Sequence, residues 1–289
     1  MSPKKLSASA RSWLSAALVV LWFVILLAPG LVRAERVLIG GAGSAMGSMR
    51  ALADAFKKTH PDFQYEVLPN AGTSGGIKGV ANGVLHIGLA TRLPFENENA
   101  SGIEVAEYAR TPLLFVANKP DVKGLSYSDI TDIYAGRLTK WPDGSPIRLV
   151  LRPVRDADTL IFSKSSPEMG MAIAAAHKRK GLSLAITSDE TMEMVPRVKG
   201  SLCSTTLAVI ARTPESQVNV MAINGVEPTL AHLKNGTYPY FKPLYVAHDP
   251  KRSSALVKRF VEFVRSTEGN GLLAQWGSVA VPKTLMAQK

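Results

Sequence analysis

The hydrophobic pattern of this chain predicts strands that alternate with helices. An apolar strand at residues 37–40 leads into a Gly/Ser-rich turn, and apolar side chains then recur at i, i+3, i+4 and i+7 from Met49 to Phe56, as in an amphipathic helix. A second unit repeats this order, with a strand at 63–68 and a turn at 71–76. Such alternation is typical of a parallel sheet that helices cover on both faces.

The rest of the pattern predicts a second lobe and a return to the first. Strands are expected at 112–118 and 147–152, and a terminal helix at 253–269 carries one apolar stripe. The predicted class is therefore α/β, with two lobes of mostly parallel sheet flanked by helices and a cleft between them that suits a ligand. The predicted division is a signal peptide at 1–34, lobe 1 at 35–117, lobe 2 at 118–235, and a return to lobe 1 at 236–289.

The N-terminus has the pattern of a secretory signal. Basic residues precede an apolar run at 13–27, and a Pro-Gly break is followed by a small-residue site that ends at Ala34. Cleavage after Ala34 would release a periplasmic protein. An uncleaved membrane anchor, which needs only about 20 apolar residues, is the alternative.

Charge and composition exclude several classes of protein. The net charge is +11, and loss of residues 1–34 leaves 30 basic and 23 acidic residues, a net charge of +7 without the basic runs of nucleic-acid-binding proteins. The five histidines are scattered and have no cysteine partner, so neither a metal nor a cofactor is expected. Cys203 is the one cysteine, either a buried residue or a reactive thiol. The chain is predicted not to be an enzyme.

Two glycine-rich turns form the candidate site. Each precedes a predicted helix, whose N-terminus presents unpaired N–H groups and the positive end of the helix dipole. The hydroxyls of Ser44, Thr73 and Ser74 can add further donors. Either turn alone is as compatible with an ordinary strand-to-helix connection, but the pair together favours a small oxyanion as ligand.

Six segments occur in order over nearly all of the predicted mature chain: GAGSAMGSMRALADAFKKTHPD, GTSGGIKGVANG, HIGLATR, LSYSDITDIYAGRLTKW, INGVEPT with NGTYPYFKPLYV, and STEGNGLLAQWGSVAVP. Together they resemble the periplasmic phosphate-binding proteins of ABC importers. The resemblance implies a two-lobe clamshell of type II connectivity, which closes on an oxyanion, most often phosphate. It also implies a monomer that delivers this anion to an ABC permease in the inner membrane.

The resemblance also implies a set of ligand-binding residues. Arg152 or Arg155 is the expected charged clamp, and hydroxyls and backbone N–H groups would complete the site. The implied residues are Ser44, Ala45, Met46, Thr73, Ser74, Gly75, Thr91, Arg92, Arg152, Arg155 and Thr159.

The lobe 2 loop departs from the family pattern. Asp158 and the alanine before it replace a Ser-Gly pair, and Asp156 adds a second carboxylate; Arg92 replaces an aspartate. A carboxylate ~4 Å from a bound anion costs several kcal/mol unless it is paired. Two function classes therefore remain open: a transport binding protein, and a periplasmic sensory or interaction protein of the same fold whose anion site is altered or lost.

Overall fold

The computed structural model describes residues 36–281; the predicted signal peptide, its cleavage site and residues 282–289 lie outside this range. The strands are β1 (Arg36–Gly41), β2 (Gln64–Val67), β3 (Ile87–Ala90), β4 (Glu104–Ala117), β5 (Gly124–Leu125), β6 (Arg148–Leu151), β7 (Ser183–Leu184), β8 (Ser201–Thr206), β9 (Asn219–Ile223), β10 (Phe241–His248) and β11 (Val279–Ala280). The α-helices are α1 (Gly43–Thr59), α2 (Gly72–Ala81), α3 (Tyr127–Ala135), α4 (Ala157–Ser163), α5 (Pro167–Lys178), α6 (Ser188–Arg197), α7 (Leu207–Arg212), α8 (Leu230–Lys234), α9 (Ala255–Val264) and α10 (Thr267–Gly271).

Strand β4 joins the two halves of one mixed sheet. The strand order is β2-β1-β3-β10-β4-β8-β6-β7, parallel at both outer ends and antiparallel around β10 and β4. The pairing of β4 with β10 extends to Pro112, and its pairing with β8 starts at Leu113. A single strand thus passes from lobe 1 to lobe 2. This arrangement confirms the predicted α/β clamshell.

Strand β4 is longer than the predicted strand at 112–118. It begins at Glu104, and the charged residues of its first half occupy positions that stay partly accessible. Glu107 and Arg110 pair there at 2.7 Å. Their charges interrupt the apolar run, which is why the hydrophobic pattern marks only the buried second half.

Each lobe has its own hydrophobic core. In lobe 1, the rings of Phe56, Phe63 and Phe260 lie 4.8–5.3 Å apart between centroids, so α9 packs in the same core as α1 and β1. The lobe 2 cores include Leu113 and Tyr238, which lie on the lobe 1 side of the predicted boundaries. The boundaries themselves remain predictions.

Side chains cap the two lobe 2 helices that begin at the junction with lobe 1. The side chain of Asp156 accepts the N–H of Asp158, so α4 begins at Ala157. Thr187 likewise accepts the N–H of Glu190 and starts α6 shortly after β7 ends at Leu184. Both caps lie at the junction between the lobes.

Membrane spans, metal clusters and the single cysteine can be described for the range 36–281. No helix there is long and apolar enough to cross a membrane, and no three side chains of the His, Cys, Asp or Glu type cluster as metal ligands. Cys203 is fully buried, and burial raises the pKa of its thiol to about 12. The thiol therefore stays protonated, which favours the structural interpretation of Cys203.

Candidate functional site

A small cavity of about 30 Å³ lies where the two lobes meet; we call it the cleft cavity. The N-termini of α1 and α2 reach it from lobe 1, and the N-terminus of α6 reaches it from lobe 2. Exposed N–H groups and helix dipoles suit such a cavity to an anion. Its lining consists of Ala42, Gly43, Ser44, Asn70, Gly72, Thr73, Thr91, Arg152, Asp156, Ile186, Thr187, Ser188 and Lys242.

The two lobe 1 turns bring backbone close to the cavity. Gly41 has a φ of 134°, which favours glycine, and a Cβ atom there would overlap the carbonyl oxygen of Leu89. Ala42 and Ala71 are the N-cap residues of α1 and α2 and supply no side-chain hydrogen bond. The first N–H groups of both helices are therefore available to other acceptors.

Asn70 supplies such an acceptor and connects the lobes. Its Oδ1 accepts the N–H groups of Gly43 at 3.1 Å and of Gly72 at 3.0 Å. Its Nδ2 donates to Asp189 at 2.9 Å and to Ser188 Oγ at 3.3 Å. One amide thus bridges two lobe 1 helices and one lobe 2 helix.

Hydroxyl groups line the lobe 1 side. The hydroxyls of Thr73 and Thr91 lie 2.9 Å apart, and Thr73 Oγ1 also accepts the Thr91 N–H at 3.0 Å. Ser44 is buried in the first turn of α1. The predicted residues Ser44, Thr73 and Thr91 therefore lie together in the lining of the cleft cavity.

Arg152 enters the cavity from the end of β6. Its guanidinium donates to Ala185 O at 2.9 Å and to Asp156 at 2.8 Å. Burial acts to lower the pKa of Arg152, but the carboxylates of Asp156 and Asp158 outweigh burial and raise it. Arg152 is therefore a permanently charged and oriented group.

Lys242, on β10, is the second cation of the cavity. Only 4% of its side chain is exposed, and its ammonium forms an ion pair with Asp158, whose other oxygen accepts from Ser204 Oγ at 3.2 Å. Burial acts to raise the pKa of Asp156, but Lys242 and Arg152 hold that pKa below its ordinary value. Two cations thus face two carboxylates, and the four formal charges cancel.

Comparison with known proteins assigns the chain to a family. The family model of the PBP superfamily domain matches residues 30–268. The chain belongs to the PBP superfamily. The described fold, with its two lobes and central cleft, agrees with this assignment.

Relatives in the PBP superfamily carry phosphate-related names. The phosphate-binding protein PstS of Borreliella burgdorferi is 20% identical over 217 residues, which cover 73% of this chain and 77% of that protein. A Clostridium perfringens structure, described as a phosphate ABC transporter substrate-binding protein with bound phosphate, is 25% identical with a TM-score of 0.73, covering 86% of this chain and all of that one. The structure of an ABC-type phosphate transport receptor from Vibrio cholerae shares the fold, with 19% identity and a TM-score of 0.58. The match covers 86% of this chain and 100% of that one. These relatives are binding proteins, in agreement with the prediction that this chain is not an enzyme.

Ser74 and Arg92 lie outside the cleft cavity, in a buried cluster around Glu98. Arg92 donates to both carboxylate oxygens of Glu98 at 2.8 Å and to Ser74 Oγ at 2.8 Å, and Ser74 donates to Glu98 at 2.6 Å. Burial acts to raise the pKa of Glu98, but these bonds and one from the Phe95 N–H lower it to about 2. Ser74 and Arg92 therefore do not line the cleft cavity, because Glu98 already binds both.

Ser74 is also the central residue of Gly72–Gly76, a segment that matches the G-x-S-x-G motif around the nucleophilic serine of many hydrolases. In this member of the PBP superfamily its hydroxyl donates to Glu98, whose pKa of about 2 makes it a weak base. The hydroxyl is therefore not activated for attack.

Arg155 makes a second connection between the lobes but does not line the cavity. Its guanidinium lies 4.2 Å from the Phe95 ring centroid and donates to Asn97 at 2.9 Å. Arg92 lies 3.7 Å from the same ring centroid, so two guanidinium groups contact the Phe95 ring. Of the two candidate clamps, Arg152 is the one in the cavity.

Four other residues implied by the resemblance lie outside the lining of the cleft cavity. Ala45 and Met46 are buried in the lobe 1 core, because the turn of α1 that follows Ser44 points them at the sheet. Gly75 lies within α2 and is not among the lining residues. Thr159 donates to the backbone oxygen of Arg152 at 3.3 Å, so it helps to position Arg152 and does not line the cavity.

The sequence analysis did not identify Asn70 and Lys242 as residues of the cleft cavity. Lys242 had a signal, because strand alternation places it on the same face as the buried Leu244 and Val246. A lysine on a buried face requires a partner. Asn70 resembled an ordinary turn residue, and its contact with Ser188 depends on a fold that brings positions 118 residues apart together.

Proposed function

We propose that this protein binds a tetrahedral oxyanion, phosphate first among them, in the cleft cavity. The observation that carries the proposal is the convergence of three helix N-termini with the buried cations Arg152 and Lys242 at one cavity between two lobes. Helix N-termini provide N–H donors and positive potential, and the cations provide charge-assisted bonds of about 1.5–3 kcal/mol each.

Binding would proceed by closure of the lobes on the anion. Strand β4 passes between the lobes and supplies a connection about which they can bend. Closure would bury the anion among Ser44, Thr73 and Arg152, where the absence of bulk water strengthens each hydrogen bond.

The carboxylates of the cavity limit the affinity. Asp156 lines the cavity, and a carboxylate ~4 Å from an anion opposes it by about 4 kcal/mol at intermediate dielectric. Its pairing with Arg152 offsets part of this repulsion. We therefore expect weaker binding than in a site whose arginine is free of carboxylates.

Transport is the role that we propose for this binding. The Clostridium and Vibrio structures are described as an ABC transporter substrate-binding protein and a phosphate transport receptor, which supports uptake over the sensory alternative. An ABC permease in the inner membrane is the proposed partner. The proposed location is the periplasm, reached by cleavage after Ala34, and the proposed working form is a monomer.

Isothermal titration of the chain 35–289 with phosphate, arsenate, sulfate and molybdate tests this function. We expect phosphate binding by the wild type and a loss of at least about 100-fold in Arg152→Lys, which keeps one charge but loses the fork of donors. Arg148→Ala, on the exposed end of the same strand, is the matched control and should bind as wild type does. Circular dichroism checks that each variant is folded. A folded wild type that binds none of the four anions would refute the proposal.

A further inference from the structure

The side-chain amide of Asn70 occupies two backbone N–H donors that a bound anion would need. Its Oδ1 accepts the N–H groups of Gly43 and Gly72, the first residues of α1 and α2. These two groups are among the N–H donors at the lobe 1 helix N-termini that face the cleft cavity. The amide oxygen therefore stands in for an oxygen of the ligand.

Lobe 2 fixes the orientation of this amide. Asp189 accepts from Nδ2 at 2.9 Å, and an ionised carboxylate can only accept, so the NH₂ group must face lobe 2 and the oxygen must face lobe 1. An ion pair with Arg212 holds Asp189 in place. The amide is thus positioned on both sides.

The cavity has little room beside this amide. Its volume of about 30 Å³ accommodates one or two water molecules, less than a tetrahedral anion of five heavy atoms requires. Gly43 permits the close approach, because a Cβ atom at this position would overlap both Asn70 Nδ2 and Ser188 Oγ. An anion can therefore reach the two N–H groups only if Asn70 moves away.

We propose that Asn70 is an internal competitor for the anion site, which holds the unliganded lobes together and lowers the affinity for phosphate. This inference rests on the proposed function. The anion displaces the amide oxygen from Gly43 and Gly72, and the cross-lobe bonds to Ser188 and Asp189 break at the same time. Because these bonds must break before the anion binds, their free energy makes phosphate binding weaker.

Two variants at this position test the inference, with phosphate titration as the measurement. Asn70→Ala frees both N–H groups and should lower the phosphate Kd by about three- to thirtyfold. Asn70→Asp keeps an acceptor for both N–H groups but places a negative charge beside Asp189 and the anion, so the Kd should rise more than tenfold. Asn118→Ala removes an amide bond to Pro196 O within lobe 2 and should leave the Kd unchanged.

Small-angle scattering of the unliganded proteins provides the second measurement. Asn70→Ala should have a larger radius of gyration than the wild type, and saturation with phosphate should remove the difference. If wild type binds phosphate and Asn70→Ala binds it equally or more weakly, Asn70 is a cap or a direct ligand and this inference alone is wrong. If neither binds any tetrahedral anion, the proposed function and the inference both fail.

Discussion

The ammonium of Lys242 lies against the carboxylate of Asp158, and both side chains are almost completely buried where the lobes meet. Lys242 belongs to the strand that returns to lobe 1, and Asp158 belongs to the first turn of α4 in lobe 2. The pair therefore connects the lobes and neutralises a carboxylate next to the cleft cavity. Removal of one partner leaves the other charge buried, which is more costly than removal of both.

Lys242→Met should lower the free energy of unfolding by about 3 kcal/mol, because Asp158 then keeps only Arg152 at 3.9 Å as a compensating charge. Urea denaturation at pH 7 measures this change. The double variant Lys242→Met with Asp158→Asn should recover most of the loss. If the effects of the two substitutions simply add, the pair is not energetically coupled.

Thr73 and Ser74 are adjacent but should differ in their effect on binding. Thr73→Val removes a hydroxyl from the cavity lining and should raise the phosphate Kd about tenfold. Ser74→Ala should change the Kd less than about twofold, because Ser74 bonds to Glu98 and Arg92 outside the cavity. Instead, it should lower the free energy of unfolding by about 1 kcal/mol. A larger effect of Ser74→Ala than of Thr73→Val on the Kd would contradict this assignment.

Glu98 should make the protein sensitive to acid. Its pKa falls from 4.5 to about 2 on folding, so its contribution, on the order of 3 kcal/mol, is present above pH 4.5 and is lost as the pH decreases from 4.5 towards 2. Glu98→Gln should be less stable than wild type at pH 7 and should approach it at pH 2–3. Urea denaturation between pH 2 and 7 measures both curves. Glu96→Gln, exposed on the same turn, should keep the wild-type profile.

Gly43→Ala should prevent full closure of the lobes, because the new Cβ atom would overlap Ser188 Oγ and Asn70 Nδ2. We expect a larger radius of gyration in small-angle scattering that phosphate does not reduce to the wild-type value. Gly271→Ala is the matched control, since a Cβ atom there meets open space. A Gly43→Ala protein that closes with phosphate as wild type does would show that the lobes need no such close approach.

Local patterns predicted the strands of lobe 1 better than the starts of its helices. The strands of the two glycine-rich units lie where hydrophobic periodicity places them, but the helices begin at Gly43 and Gly72, inside the segments predicted as turns. The terminal helix α9 also follows its apolar stripe, and it packs against Phe56 as expected for a return to lobe 1. These features depend on neighbours within a few residues, and a sequence displays such neighbours directly.

The sequence by itself therefore determined the α/β class, the cleft and the two hydroxyl-bearing segments with Ser44 and Thr73. Only the tertiary structure decided which charged groups face the cavity. Arg152 and Arg155 are three residues apart in one loop, yet Arg152 is buried in the cavity and Arg155 stacks on Phe95 of the other lobe. The same holds for Lys242, whose partner Asp158 is 84 positions away in the chain. A buried charge is stable only beside its partner, and which partner it meets depends on how the two lobes fold together, a long-range relation that local periodicity does not contain.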